Sequence, residues 1–282
     1  MIYILLSIAC SVTVSILLKL ARRYHISIVQ AVTWNYLFAI VLATLAFDPK
    51  LGAIKTDNYP IYIGLGVLLP VIFWVLARSI RTTGIARTDI AQRLSLIIPL
   101  LAAFFVFQEQ FSVLKLAGIV IGFLAILLIL VRKSAVTSSN TAYIYPVAVF
   151  LGFGCIDILF KKIALIQGVP YTNSLIIVFC CSAIISLIAA VYLISIKKQR
   201  FQMINVLCGC ILGCFNFGNI YFYLKAHQVF ASHPSTVFAS MNIGVITVGC
   251  LIGLLVFKEK LTKFNLIGIA LAIVAVVLIA LS

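Results

Sequence analysis

The chain has 282 residues, of which 64% are hydrophobic and only 10% charged, and it carries a net charge of +15. Long apolar stretches dominate, which excludes a soluble domain and assigns the chain to a bilayer as an all-α membrane protein. Nucleic acid is excluded as the reason for the positive charge, because the basic residues flank apolar stretches and orient them in the membrane.

A helix needs roughly 20 apolar residues to cross about 30 Å of hydrocarbon. Ten such spans fit, near residues 2–20, 28–47, 60–80, 85–107, 112–131, 142–163, 171–195, 203–225, 234–257 and 263–281. In the first, Lys19, Arg22 and Arg23 follow the apolar run instead of preceding it. It therefore reads as a retained span and not as a secretory signal. Ser11, Ser15 and Lys19, four apart, make one polar stripe along it. The connection over 48–59 is too short for a soluble domain.

Span three carries Trp74 and Arg78, and span four carries Asp89, Gln92 and Arg93. Arg93 sits near the start of its span, where snorkelling to the interface is the alternative to a site. Pro70 and Pro99 interrupt these two spans, and a missing backbone donor can kink a helix and free a carbonyl. A corner, FQEQFS at 107–112, leads into span five with Gly118 and Gly122. The Ser- and Thr-rich stretch RKSAVTSSNT (132–141) reads as a linker, so that 1–133 form one half, 134–141 the connection and 142–282 the second half.

Asp157 in span six is the one acid placed well inside a span, where even lenient scales charge about 2.5–3.5 kcal/mol for an ionised group. It reads either as an i,i+4 ion pair with Lys161 or as a group that couples transport to protons. In span eight Asn216, Asn219 and Tyr223 share a face, and amides on a buried face either bridge helices or bind a ligand. The pairs Gly118/Gly122, Gly209/Gly213 and Gly249/Gly253 have the spacing that allows close helix approach. The eight cysteines all fall in apolar segments and read as packing residues without metal-ligand spacing. His25 and His233 lie in connections and His227 at a span end, with no site assigned. No nucleophile is paired with a base and no phosphate-binding loop occurs, so no catalytic residue, metal or cofactor is expected.

The two halves repeat. At an offset of 150, Phe107 meets Phe257, Glu109 meets Glu259, Ser112 meets Thr262, Gly118 meets Gly268, and Gln92 meets Asn242. At an offset of 142, Lys19 meets Lys161, and at 147 Trp74 meets Tyr221 and Arg78 meets Lys225. The corner glutamates, flanked by Gln108, Gln110, Lys258 and Lys260, read as structural groups of interfacial turns.

This pattern, two corners followed by a glycine-bearing helix, resembles the EamA-type branch of the drug/metabolite transporter superfamily over essentially the full chain. The resemblance implies ten transmembrane helices in two five-helix inverted repeats, with a central cavity lined by spans one, three, four, six, eight and nine. It implies a secondary transporter of a small polar metabolite in the cytoplasmic (inner) membrane of a prokaryote. Family members keep both termini in the cytoplasm. The charge count departs from that habit: 15 basic residues lie on the side of the first connection and 6 on the other, which places the termini outside.

The expected substrate-binding set is Ser15, Trp74, Arg78, Gln92, Arg93, Asn216, Asn219, Tyr223 and Asn242, with Asp157 and Lys161 as the coupling pair. Cationic candidates outnumber acids, which favours an amino acid or related carboxylate, with protons as the candidate coupling ion and no nucleic-acid partner. Two alternatives stand beside this reading. One is a proton-coupled multidrug exporter, whose small relatives depend on a glutamate in span one that this chain lacks. The other is a non-transporting membrane or lipid-handling subunit.

Overall fold

The structure, a computed structural model, describes residues 1–24, 26–47, 58–130, 143–168, 170–255 and 262–282, without the side chains of 19, 21–23, 85–87 and 130. His25, the linker 134–141 and most of the second corner, including Glu259, lie outside these residues. Among the described residues the chain forms eleven helices and no strand: α1 (Ile2–Arg23), α2 (Ile28–Phe47), α3 (Tyr59–Thr83), α4 (Ile85–Leu94), α5 (Ile97–Phe105), α6 (Val113–Leu130), α7 (Ile144–Ala164), α8 (Tyr171–Ser195), α9 (Met203–Val229), α10 (Pro234–Leu255) and α11 (Lys263–Ala280). In lipid no water satisfies backbone groups, so such a composition folds as helices that bond internally.

Seven of these segments are long and apolar enough to cross a membrane, with α4 and α5 taken together as one; Ile2–Leu18 and Val113–Ile129 are shorter apolar stretches. The helix missing from both groups is α7, whose 21 residues include Asp157, Lys161 and Lys162.

The fourth expected span is not one helix. It breaks at Ser95 and Leu96, where Leu96 N–H turns back to the Arg93 carbonyl and Ile98 N–H to that of Ser95. Pro99 has no N–H to offer the Ser95 carbonyl four residues earlier, which is the physical reason for the break. In α3, by contrast, Pro70 lies inside a continuous helix.

Two corners behave alike, as their alignment implies. Ser112 Oγ accepts from Lys115 N–H at 3.1 Å, and Thr262 Oγ1 accepts from Asn265 N–H at 3.3 Å, so each hydroxyl caps the helix it precedes. Asn265 also reaches the end of α6, donating to the Ile129 carbonyl at 2.7 Å.

The pairing of α6 with α11 is reciprocal. A Cβ on Gly118 would meet Ile279 at 2.8 Å and the Ala275 carbonyl at 3.2 Å; one on Gly268 would meet Ile129 at 2.8 Å and the Ala125 carbonyl at 3.0 Å. Adding 150 to the α6 residue of one contact and subtracting 150 from its α11 residue gives the other, with the two helices running antiparallel. Close approach also holds at Gly209 and Gly213, which lie on the backbone of Ala31 and Asn35 in α2. Gly249 differs: nothing lies within 4 Å of its missing Cβ, so Gly249/Gly253 is not a contact of this kind at its first member.

Candidate functional site

Four helices bring polar side chains together inside the bundle. On α7, Asp157 stands seven residues before the helix end, about 10 Å along the axis at 1.5 Å per residue. The Tyr223 hydroxyl on α9 donates to Asp157 Oδ1 at 2.8 Å. Asn242 on α10, whose side-chain N–H donates to the Phe238 carbonyl at 3.1 Å, lies near the same carboxylate, and Arg93 on α4 acts on it as a positive charge. Arg93 also faces Asp89 from its own helix. Asp157 thus lies near a guanidinium, an amide and a phenol from three other helices, with Asp157, Asn242 and Arg93 only partly buried.

The expected Asp157–Lys161 ion pair does not form. Lys161 is fully buried and turns to the end of α9, where its Nζ donates to the carbonyls of Ala231 at 2.9 Å and His227 at 3.3 Å. The last carbonyls of a helix lack intrahelical partners, and a cation satisfies both their lone pairs and the dipole. Its ammonium also lies 6.0 Å from the centre of the Phe107 ring, across from the other half. The charge that compensates Asp157 is therefore Arg93, which the sequence placed in another span without pairing the two.

The remaining expected residues spread out. Asn219 Oδ1 accepts from Ser7 on α1 at 2.8 Å, and Asn216 is buried on the same helix. Ser15 is exposed and bonds its own helix at Ser11. Arg78 is exposed and stands 5.9 Å over the Tyr145 ring. The Trp74 indole N–H is buried without a partner. Gln92 gives its carbonyl to Ser95 at the helix break.

Several residues passed over by sequence reasoning are close to the cluster. His227, one turn below Tyr223, is fully buried; its ring lies 4.7 Å from those of Tyr223 and Phe238, and neither ring nitrogen has a hydrogen-bond partner. Glu109, read as part of an interfacial turn, points inward: Gln108 and Gln110 are exposed, but Glu109 is 4% exposed. Gln108 takes the left-handed conformation at φ 52°, and Glu109 N–H reaches the Ala103 carbonyl at 2.9 Å, a helix ending that turns the next side chain back toward the bundle. There Glu109 accepts from Lys115 Nζ at 2.8 Å and from the Ser235 N–H at 2.8 Å and hydroxyl at 2.6 Å. Two outer grooves, one of about 190 Å³ between α2 and α8 beside Trp34 and Leu187, are apolar and lie apart from this cluster. Among the described residues no group of His, Cys, Asp and Glu has the arrangement of a metal site.

Residues 1–131 match the EamA-like transporter family. The chain belongs to that family. A protein of Haemophilus influenzae (strain ATCC 51907 / DSM 11121 / KW20 / Rd), itself called an uncharacterized protein, is 39% identical over 284 residues, covering 97% of this chain and 95% of its own. A solved crystal structure superposes with a TM-score of 0.70 at 14% identity, over 99% of this chain and 98% of that one, which speaks to the fold. The chain is thus a multi-pass integral membrane protein of a transporter family, whose members act on small molecules from within a lipid bilayer and are not enzymes.

Proposed function

We propose that this chain is a secondary active transporter of zwitterionic metabolites, amino acids foremost, working by alternating access in the inner membrane of a prokaryote. The observation that carries the reading is the cluster of Arg93, Asp157, Tyr223 and Asn242, contributed by four helices. Broken or kinked helices and polar groups at a repeat interface are where such transporters bind substrate. The break at Ser95–Leu96 lies directly beside Arg93.

The ten spans are α1, α2, α3, α4 with α5, α6, α7, α8, α9, α10 and α11, forming halves 1–133 and 142–282. Support for an inverted relation between them comes from the reciprocal Gly118–Ile279 and Gly268–Ile129 contacts. A twofold axis in the membrane plane would exchange them.

The charges narrow the substrate class. Of the basic residues considered, Lys161 is held by backbone carbonyls, Arg78 is exposed, and Lys225 stands over Tyr3 and Tyr221. Among the described side chains of these basic residues, Arg93 remains as the cation near Asp157. A guanidinium binds a carboxylate with two parallel bonds, while Asp157, Tyr223 and Asn242 offer acceptors to an ammonium. In this reading a substrate's carboxylate displaces Asp157 from Arg93, and Asp157 is the group that takes up a coupling proton.

The test is uptake into proteoliposomes of an amino-acid pool, alongside the corresponding amines without the carboxylate and acids without the ammonium. Uptake confined to the zwitterions, and lost in Arg93→Lys, agrees with the proposal. Uptake of the amines in preference would favour the multidrug reading and defeat this one.

A further inference from the structure

The two halves are not in equivalent contact. Much of the helix packing obeys the exchange of halves: α1 packs on α9 as α7 does on α3, α2 on α9 as α8 does on α3, and α1 on α10 as α7 does on α4 and α5. Two pairings depart from it most. α7 packs on α9, and α10 on α6, whereas their counterparts, α1 with α3 and α4–α5 with α11, make at most marginal contact among the described residues.

The α7–α9 pairing lies at one end of the bundle, the end that carries the termini, while α6 meets α10 at mid-helix, where Gly122 lies against Ile243. Lys225 near the end of α9 stands 5.0 Å over the ring of Tyr3, and Ile279 near the end of α11 lies beside Gly118 at the start of α6. At this end α7 meets α9 through Asp157–Tyr223, the crossed rings of Phe160 and Tyr223 at 5.9 Å, and Lys161 on the α9 carbonyls. At the same end the Glu109 corner of the first half holds the first turn of α10 in the second, through the Ser235 N–H and hydroxyl.

We infer that this structure is the state closed at the end carrying the termini, and that the Glu109–Ser235 contact is the latch that opens during transport. The inference rests on the alternating-access reading above. Exchanging the roles of the halves would release α7 from α9 and bring α1 onto α3, which closes the opposite end.

The latch is built for reversal. Glu109 keeps Lys115 as its own partner at 2.8 Å, within its half, so it is not stranded without a countercharge when Ser235 leaves. His233, whose side chain is 55% exposed, lies 3.3 Å from Lys115 Nζ and 3.8 Å from Glu109. Water at the mouth can therefore replace the Ser235 bonds, so that opening costs their modest net value and not the full penalty of a stranded carboxylate. The permanent contacts are of another kind: glycine-mediated backbone approach between α6 and α11, where water has no groups to satisfy. The latch also has leverage, since Ser235 and the site residue Asn242 are seven residues apart on one helix, about 10 Å.

Two distances test this in the full chain, in nanodiscs, with the native cysteines replaced. Spin labels on Gln110→Cys and Ser232→Cys span the closed end; labels on Tyr24→Cys and Arg81→Cys span the opposite end between α1 and α3. All four positions are exposed. Glu109→Gln and Ser235→Ala are expected to raise the open-to-closed ratio at the first pair about tenfold, the effect of losing one charge-assisted hydrogen bond. The second distance should shorten in the same molecules. Should Glu109→Gln fail to fold, Ser235→Ala removes a single hydroxyl and leaves the ion pair, and it carries the test alone. Lengthening at the first pair without shortening at the second means local fraying and overturns the inference, as do unchanged distances at both. No substrate is needed, so a chain that rocks but transports nothing would sink the transport reading and leave the latch standing.

Discussion

Gly268→Ala is a sharp test of the contact on which the twofold relation rests. The added methyl would stand 2.8 Å from Ile129 Cγ1, 2.9 Å from Ile129 N and 3.0 Å from the Ala125 carbonyl. Two of those three atoms are backbone, which cannot rotate away, so α11 has to withdraw from α6 by about half an ångström. Overpacking of this kind costs about 1–3 kcal/mol. At roughly 2–4 °C per kcal/mol for a protein of somewhat smaller size, the apparent Tm should fall by about 5 °C. Gly249→Ala is the control, because nothing lies within 4 Å of its Cβ and alanine is favoured over glycine in a helix by up to about 1 kcal/mol. Melting in detergent, followed by the monodisperse fraction on size-exclusion chromatography, compares the two. If both variants melt together, the α6–α11 approach described above is wrong.

Asp157→Asn keeps the shape of the cluster and removes its titration; accumulation driven by an imposed proton gradient should fall to the level seen without one, while exchange between equal substrate pools continues. An unaltered response to the gradient would remove Asp157 from coupling. Asn219→Leu and Ser7→Ala separate bridging from binding: if Asn219 only holds α1 to α9, both variants lose about 0.6 kcal/mol, at most about 1.7, and transport alike. A much larger transport defect in Asn219→Leu alone places it in the site. Orientation follows from the basic residues, 15 against 6, so that a cysteine at Ser282 should react with an impermeant maleimide on intact cells. Labelling only after the cells are opened would put the termini in the cytoplasm.

What the sequence carried was local or repeated. Ser112 and Thr262 aligned as corner residues and both prove to be helix caps; Gly118 and Gly268 aligned and both prove to be points of close approach. Pro99 marked the fourth span for a kink, and the chain breaks just before it. What the sequence did not carry depends on how the helices come together in space. Glu109 sits among exposed glutamines and looks like them; its burial is decided by Ser235, 126 residues on. Asp157 and Lys161 have helical ion-pair spacing, yet a lysine side chain is long enough to prefer open carbonyls on a neighbouring helix. His227 gave no signal, since the rings that enclose it come from the same helix and from α10.

Lys161 also bears on how the chain enters the bilayer. As a solitary segment α7 presents Asp157 near its centre, where a charge costs about 2.5–3.5 kcal/mol at insertion, and Lys161 and Lys162 in its last turn. The carbonyls that accept the Lys161 ammonium belong to His227 and Ala231, 66 and 70 residues later. When α7 leaves the ribosome those acceptors have not been made. Lys161 therefore reaches its buried position only once α9 has been made, and until then its long side chain can extend to the interface from the last turn of α7.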